Sequence, residues 1–105
     1  GQGYVRNKSK GYYTMIGKED LIRCHIASGD GESVVTAYLF DSDYTEDEAV
    51  ALEYEALSEL YGYARSDFVK QEFLMEKGKC FDAITFYEND CQRTIYFDIT
   101  QHFGK

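Results

Sequence analysis

The stretch at residues 67–100, "DFVKQEFLMEKGKCFDAITFYENDCQRTIYFDIT", decides the fold that we predict for this chain. It contains three runs of β-branched and aromatic residues, which favour strands. Two dipeptides, Lys77-Gly78 and Asn89-Asp90, interrupt these runs and are typical of tight hairpin turns. We therefore predict that the chain ends in a three-stranded antiparallel meander.

The two predicted turns also specify the strand register. A two-residue turn at Asn89-Asp90 places Ile84 opposite Ile95, and the turn at Lys77-Gly78 places Phe73 opposite Asp82. Both turns give the same apolar face, and a slip of one residue would destroy it. That face consists of Val69, Phe73, Met75, Cys80, Ile84, Phe86, Ile95, Phe97 and Ile99.

The opposite face of the predicted meander mixes polar residues with aromatic and aliphatic ones. If no other part of the chain covers it, this face exposes an apolar patch, which is typical of a surface that binds another protein. The predicted partner- or ligand-binding residues on it are Phe68, Leu74, Phe81, Tyr87 and Tyr96.

Two helices are predicted upstream of the meander. Leu21, Ile22, His25 and Ile26 recur at helical spacing, so we expect a short helix at residues 18–28, ended by a glycine. The second helix has clearer limits, since its start matches a capping box, Thr45 with Glu48, and its end matches a glycine cap, Gly62.

The segment "SGDGESVVTAYLF" at residues 28–40 joins the two helices. Its glycines tolerate positive φ, and we predict a turn there followed by a strand at residues 34–40. A phosphate-binding loop would place its glycines before a helix rather than after one. A calcium loop would need more oxygen ligands than Asp30 and Glu32 provide.

These elements predict an α+β fold, in which two helices pack on one face of an antiparallel sheet that ends in the three-stranded meander. The chain of 105 residues suits one domain. We assign residues 1–13 to a flexible lead-in and residues 14–105 to a single α+β domain.

The charge of the chain disfavours several classes of partner. The formal net charge is −8, so phosphate backbones and anionic lipid surfaces would be repelled. Residues 1–18 carry +4 and are either a solvated tail or a tether to an acidic partner. No apolar stretch is long enough for a membrane span. We expect neither a nucleic-acid partner nor a membrane span, and the sequence does not specify an oligomeric state.

One polar residue lies within the apolar arc of each predicted helix. His25 falls between Leu21 and Ile22, and Glu53 falls between Ala49 and Leu57. The two could form an acid/base pair, which makes them weak catalytic candidates. They could equally be buried polar groups with structural partners, because no nucleophile or oxyanion donor accompanies them.

The cysteines and histidines give no sign of a metal site. The chain has no C-x-x-C or H-x₃-H spacing, so we predict neither a metal nor any other cofactor. The predicted register places Cys80 and Cys91 at opposite ends of a hairpin, too far apart for a disulfide. The redox states of Cys24 and Cys91 stay open, since three cysteines cannot all pair within one chain.

Three segments carry a resemblance to known proteins: "SGDGESVVTAYLF", "LEYEALSELYG" and "KCFDAITFYENDCQRTIYFDIT". Over residues 20–100 the chain resembles uncharacterised families of small exported Bacteroidetes proteins, although Leu39-Phe40-Asp41 stands where those families are more β-branched. The resemblance implies export, to the periplasm or cell envelope, and no established activity. An opening Gly-Gln-Gly without Met is what trimming of an export signal would leave.

Three functions follow as hypotheses. The first is a non-catalytic envelope module that binds a protein partner through the apolar patch. The second is a module that binds a small ligand or glycan in a tyrosine-lined cleft, since the chain has 10 tyrosines. The third is a hydrolase or isomerase that uses His25 and Glu53.

Overall fold

A computed structural model of the protein describes residues 4–7 and 13–105, with side chains from residue 16 onwards. Within these ranges the elements follow one another as β1 (Tyr4–Asn7), β2 (Tyr13–Ile16), α1 (Lys18–Arg23), β3 (Ile26–Ser28), β4 (Tyr38–Phe40), α2 (Glu46–Tyr61), a 3₁₀ turn (Arg65–Asp67), β5 (Phe68–Glu76), β6 (Lys79–Glu88) and β7 (Cys91–Asp98).

Five of these strands form one mixed sheet in the order β3-β4-β7-β6-β5. The α+β class is confirmed, but the predicted purely antiparallel sheet is wrong, because β4 runs parallel to β7. The chain between these two strands includes α2, β5 and β6, which is the long connection that a parallel pair requires. β1 and β2 form a separate two-stranded antiparallel sheet.

The meander is confirmed with its register. Ile84 lies opposite Ile95, and Phe73 lies opposite Asp82. In each turn both central residues have positive φ, with Lys77 at 51° and Gly78 at 79° in the first turn. Turns of this kind match the twist of the flanking strands, which explains why the dipeptides predicted the register.

A β-bulge near the start of β5 changes one predicted orientation. Phe68 pairs with Phe86 while Lys70 pairs with Thr85, so Val69 is an extra residue on β5. Phe68 therefore lies on the same face as Phe86, which contacts Tyr61 of α2. We call this face of the sheet the α2 side. The prediction that Phe68 projects from the opposite face is wrong.

The first helix is shorter than predicted. It ends at Arg23, and His25 adopts a left-handed conformation with φ of 63°. Ile26–Ser28 is strand β3, paired with β4, and not helix. The apolar residues with helical spacing therefore belong to two elements. Leu21 and Ile22 are in α1, whereas Ile26 is buried in β3, at the edge of the sheet.

The predicted strand at residues 34–40 is reduced to Tyr38–Phe40. Before it, the backbone N–H groups of Asp30 and Gly31 both donate to the carbonyl of Thr36, which folds the loop back on itself. Gly31 has a positive φ, as the predicted turn required. The turn follows a strand rather than a helix.

The second helix has the predicted capping residues. The Thr45 hydroxyl accepts a hydrogen bond from the Glu48 backbone N–H at 3.2 Å, and the Glu48 carboxylate accepts one from the Thr45 N–H at 2.9 Å. Gly62 ends the helix in the left-handed conformation, with φ of 70°.

A single buried cluster joins α2 to the centre of the sheet. It includes Ala49, Ala56, Leu57 and Leu60 from α2, and Ile84, Phe86, Ile95 and Phe97 from β6 and β7. The shorter α1 has no buried residue and adds only the partly buried Leu21.

The predicted lead-in at residues 1–13 lies partly outside the described residues, at 1–3 and 8–12. Tyr4–Asn7 is a strand paired with Tyr13–Ile16. The assignment of residues 14–105 to one domain stays a prediction. No helix in the described ranges has the length and apolar character needed to cross a membrane.

Candidate functional site

Among the described residues, β5 is the longer of the two outer strands of the sheet. β5 has nine residues and pairs with β6 on one side, and among the described residues no strand pairs with its other side. The opposite edge of the sheet is β3, which has three residues and an irregular register. Long unpaired edges expose backbone N–H and C=O groups that can pair with another chain.

Apolar side chains accompany this edge on the α2 side. Met75 is 68% exposed, Phe103 is 49% exposed, and Phe68 and Phe73 are each 45% exposed. The rings of Phe73 and Phe103 stack with their centroids 5.0 Å apart. We call these four residues the β5 edge surface.

The position of this surface follows from where burial ends across the sheet. On β6, Cys80 and Asp82 are 7% and 5% exposed. Their direct partners on β5, Met75 and Phe73, lie on the same face but are largely exposed. The buried layer therefore stops between β6 and β5, and one row of large apolar side chains lies beyond it.

A cleft lined by tyrosines adjoins one end of this surface. Its volume is about 460 Å³, and it is lined by Tyr54, Tyr63, Arg65 and Phe68. The rings of Tyr54 and Tyr63 lie 5.6 Å apart. The Tyr54 hydroxyl donates to Oε1 of Gln71 at 2.6 Å, and burial raises the pKa of Tyr54 to about 12. The hydroxyl is therefore a fixed hydrogen-bond donor at neutral pH.

The residues predicted to bind a partner do not form one exposed patch. Phe68 lies on the α2 side, and Phe81 is only 4% exposed. Leu74 and Tyr96 are partly buried, while Tyr87 is 45% exposed and its hydroxyl accepts from the Gln92 amide at 3.2 Å. Phe81 is closed off, so only parts of the predicted surface are accessible.

His25 and Glu53 are in different environments. The His25 side chain is half exposed, with Nδ1 3.8 Å from Oδ2 of Asp41. It lines a surface pocket of about 510 Å³ together with Cys24 and Glu59, and Glu53 is not among the lining residues. Glu53 is fully buried. The predicted position of His25 in an apolar helical arc is wrong, because α1 ends two residues before it.

The Glu53 carboxyl group is unusual for a side chain with 0% exposure. Burial raises its pKa to about 10, and the neighbouring Asp82 carboxyl contributes to the increase. Within the described residues, neither Glu53 oxygen has a partner with good hydrogen-bond geometry. Desolvation thus keeps Glu53 in its neutral form, and an enclosed neutral acid has no access to a substrate.

The other potential nucleophile in this region, Cys24, is also suppressed. Its side chain is buried, and desolvation followed by the nearby Glu59 charge raises its pKa to about 11. The reactive form of cysteine is the thiolate. Cys24 next to His25 is therefore not an activated nucleophile–base pair.

The potential metal ligands among the described residues are His, Cys, Asp and Glu side chains. In the part of the chain that the structure describes, no group of three His, Cys, Asp or Glu side chains is arranged to hold a metal ion. All three cysteines are free thiols, with Cys24 and Cys80 buried and Cys91 exposed.

Sequence reasoning missed the exposure of Phe73, Met75 and Phe103. The alternation along β5 predicts that Phe73 and Met75 lie on the buried apolar face, which is correct for their orientation but not for their burial. The position of β5 in the sequence could have predicted this exposure. β5 is the first strand of the meander, so it lies at the edge of the sheet unless a further strand pairs with it. Phe103 follows the last strand and carries no local pattern.

Comparisons with known proteins leave the family open. No protein-family model matches the sequence, and neither the curated proteins nor the solved structures include a significant match. The resemblance to small exported Bacteroidetes proteins therefore stays a prediction.

Proposed function

We propose that this protein is a non-catalytic module that binds an extended segment of a protein along β5. The observation that supports the proposal is the unpaired outer edge of β5, bordered on the α2 side by four exposed apolar residues. A segment added beside β5 would pair with its backbone and pack its own side chains on Phe73 and Met75. The proposal includes the predicted packing of both helices on this one face.

The environment of the acid/base candidates supports a non-catalytic role. Glu53 is buried and neutral at physiological pH, and Cys24 has a raised pKa. His25 remains exposed beside Asp41, and the exposed Ser58 hydroxyl that lines the same pocket donates to the Tyr63 carbonyl at 3.0 Å rather than to His25. A hydrolase that combines His25 with Glu53 would need Glu53 to reach the pocket that His25 lines.

The test is selection of peptides from a random displayed library, followed by mapping of the bound site by hydrogen–deuterium exchange. We expect selected peptides to slow exchange in β5 and to lose at least tenfold in affinity for Phe73→Lys and for Met75→Lys. The matched control is Tyr87→Lys, since Tyr87 is as exposed as Phe73, at 45%. The Tyr87→Lys variant should bind the selected peptides with wild-type affinity.

Two results would contradict the proposal. One is protection of the opposite face, with binding lost in Tyr87→Lys and kept in Phe73→Lys. The other is failure of the library to yield any peptide that protects β5. The lysine variants replace side chains that are 45% and 68% exposed, so both should fold, and far-UV circular dichroism would verify this.

A second candidate function is supported by the tyrosine cleft. Aromatic rings and a guanidinium group are suited to the apolar faces and hydroxyls of sugars, and the Tyr54 oxygen, whose proton is donated to Gln71, can still accept a hydrogen bond from a sugar hydroxyl. A thermal-shift screen over a broad panel of sugars and metabolites tests this function. Hits that disappear in Tyr63→Ala would support it, and the absence of any hit would count against it.

Export to the periplasm or cell envelope remains part of the proposal. It is supported by the resemblance noted in the sequence. Fractionation of the source cells, with antibody detection of the protein, would check the location.

A further inference from the structure

Resting on the proposed role of β5, we infer that the segment it binds is β5 of a second copy of this chain. The two strands pair antiparallel around a two-fold axis that passes between the two copies of Phe73. The result is a ten-stranded sheet that is continuous across two copies, with one isologous interface.

The apolar residues of the edge are arranged around this axis. With the axis at Phe73, that residue faces its own equivalent, and Met75 faces Gln71 of the second copy. Because Phe103 stacks on Phe73, both Phe103 rings join the contact from either side. Three of the four residues of the β5 edge surface (Phe73, Met75 and Phe103, at 45–68% exposure) thus lie close to the axis in both copies.

The charged residues of β5 match in the same register. On the face opposite α2, Lys70 of one copy lies directly across from Glu76 of the other, and Glu72 lies across from Leu74. Each charged residue therefore faces either an opposite charge or an apolar residue. The two-fold axis repeats the Lys70–Glu76 pair, so the interface contains two of them. Opposite charges on directly facing positions stabilise a strand pair.

Neighbouring registers are less favourable. A two-fold axis perpendicular to the sheet requires one residue to face its own equivalent across the axis. Only a few residues near Phe73 can take this position. An axis at Glu72 places Glu72 against Glu72, and an axis at Leu74 places Glu72 against Glu76, so both oppose like charges. An axis at Gln71 brings the bulge between Phe68 and Lys70 into the pairing.

The overall acidity of the chain does not prevent this contact. The net charge is −8, yet residues 68–79 contain three lysines and two glutamates, a net charge of +1. Most of the acidic residues lie elsewhere in the sequence, including Glu46, Asp47 and Glu48 at the start of α2. Two copies that pair along β5 therefore bring little net charge together.

Disulfide cross-linking tests the register in a Cys91→Ser background, in which the remaining cysteines are buried. Directly opposite residues in an antiparallel pair have Cα atoms roughly 4.5–5.5 Å apart, which suits a disulfide. A mixture of Gln71→Cys and Met75→Cys chains should form a mixed disulfide dimer while leaving Phe73 intact. Each variant alone should not, since its two cysteines would lie about 13 Å apart along the strands.

The inference is overturned if Gln71→Cys or Met75→Cys cross-links alone, which indicates an axis at that residue, or if the mixture yields no mixed dimer. Phe73→Cys alone should also cross-link, because residue 73 faces itself. Tyr87→Cys, on an interior strand and the other face, is the matched negative control.

Sedimentation equilibrium over a concentration series tests association without any cysteine. Wild type should show a monomer–dimer equilibrium, and Phe73→Lys and Met75→Lys should each weaken it at least tenfold, while Tyr87→Lys should not. A wild-type chain that is monomeric throughout, but whose β5 is protected by selected peptides, overturns the inference and leaves the proposed function standing. If neither peptides nor a second copy protect β5, both fail.

Discussion

The carboxyl group of Glu53, on α2, interacts with that of Asp82, on β6, in the interior of the protein. The two side chains are 0% and 5% exposed. Two carboxylates cannot both be charged at short range in a desolvated site without a large cost, so one proton is retained. Burial raises the pKa of Glu53 to about 10, and Glu53 is therefore the member that holds the proton.

Glu53→Gln should increase the stability of the protein above neutral pH. The folded state binds the Glu53 proton more tightly than the unfolded state, so this group stabilises the fold fully below about pH 4.5. That contribution is lost as the pH rises towards about 10. Glutamine is similar in size and stays neutral. We expect the free energy of unfolding at pH 8 to rise by roughly 1–3 kcal/mol, measured by urea denaturation.

The pH dependence distinguishes this explanation from a general surface-charge effect. The difference in unfolding free energy between wild type and Glu53→Gln should grow with pH, by at most about 1.4 kcal/mol per unit. Glu55→Gln is the matched control, because it changes an exposed glutamate on the same helix. A difference between wild type and Glu53→Gln that does not vary between pH 5 and 9 would contradict the assignment.

Local sequence signals predicted the elements whose ends are specified by short-range chemistry. Asn89-Asp90 and Lys77-Gly78 adopt the positive φ values that a two-residue hairpin needs, so the register followed from counting. Thr45, Glu48 and Gly62 cap α2 at both ends through hydrogen bonds to the nearby backbone. These interactions do not depend on the rest of the fold.

The failures share a different cause. Ile22 and Ile26 have helical spacing, but Ile26 is buried in strand β3 while Ile22 is 59% exposed. Helical periodicity and pairing with β4 competed for the same residues, and the choice depended on a strand that lies 12 residues later. His25 was misplaced for this reason, and the predicted His25–Glu53 pair failed with it.

The candidate site depends on which strand is outermost, and this is a property of the whole sheet. Phe73 and Met75 have the alternation of buried residues, and their β6 neighbours on the same face are buried. Only the strand order shows that no further strand covers them among the described residues. The sequence pattern therefore gave their direction but not their exposure.

Gly31→Ala should destabilise the protein far more than Gly78→Ala. Both glycines have φ above 70°, so both variants carry a similar backbone strain of about 1–2 kcal/mol. A Cβ at Gly31 would lie 2.5 Å from Cε2 of Tyr38 and 2.9 Å from Cγ2 of Ile95, whereas a Cβ at Gly78 meets nothing within 4 Å. We expect an additional cost of roughly 1–3 kcal/mol for Gly31→Ala, measured by thermal and urea unfolding. Equal losses in the two variants would show that the loop moves away from Tyr38.

Thr45→Ala should weaken the start of α2. The Thr45 hydroxyl accepts the Glu48 N–H, and without it this donor loses its partner at the end of the helix. The expected cost is about 1 kcal/mol in the free energy of unfolding. Thr45→Ser keeps an acceptor at the same place and is the control, so it should remain within about 0.5 kcal/mol of wild type. A loss in Thr45→Ser as large as that in Thr45→Ala would point to the methyl group rather than the hydrogen bond.

Cysteine labelling tests whether the pocket that contains Cys24 and His25 holds a reactive thiol. Cys91 is exposed, whereas Cys24 and Cys80 are buried. With its pKa raised to about 11, Cys24 is a thiolate in roughly one molecule per thousand at pH 8. Ellman's reagent should therefore react rapidly with one thiol in the native protein and with three in denaturant, and Cys91→Ser should remove the rapid reaction.

Rapid modification of Cys24 in the Cys91→Ser variant, located by peptide mass spectrometry, would instead show an accessible thiolate beside His25. A catalytic role for this pocket would then be supported, because a nucleophile and a base would share one exposed site.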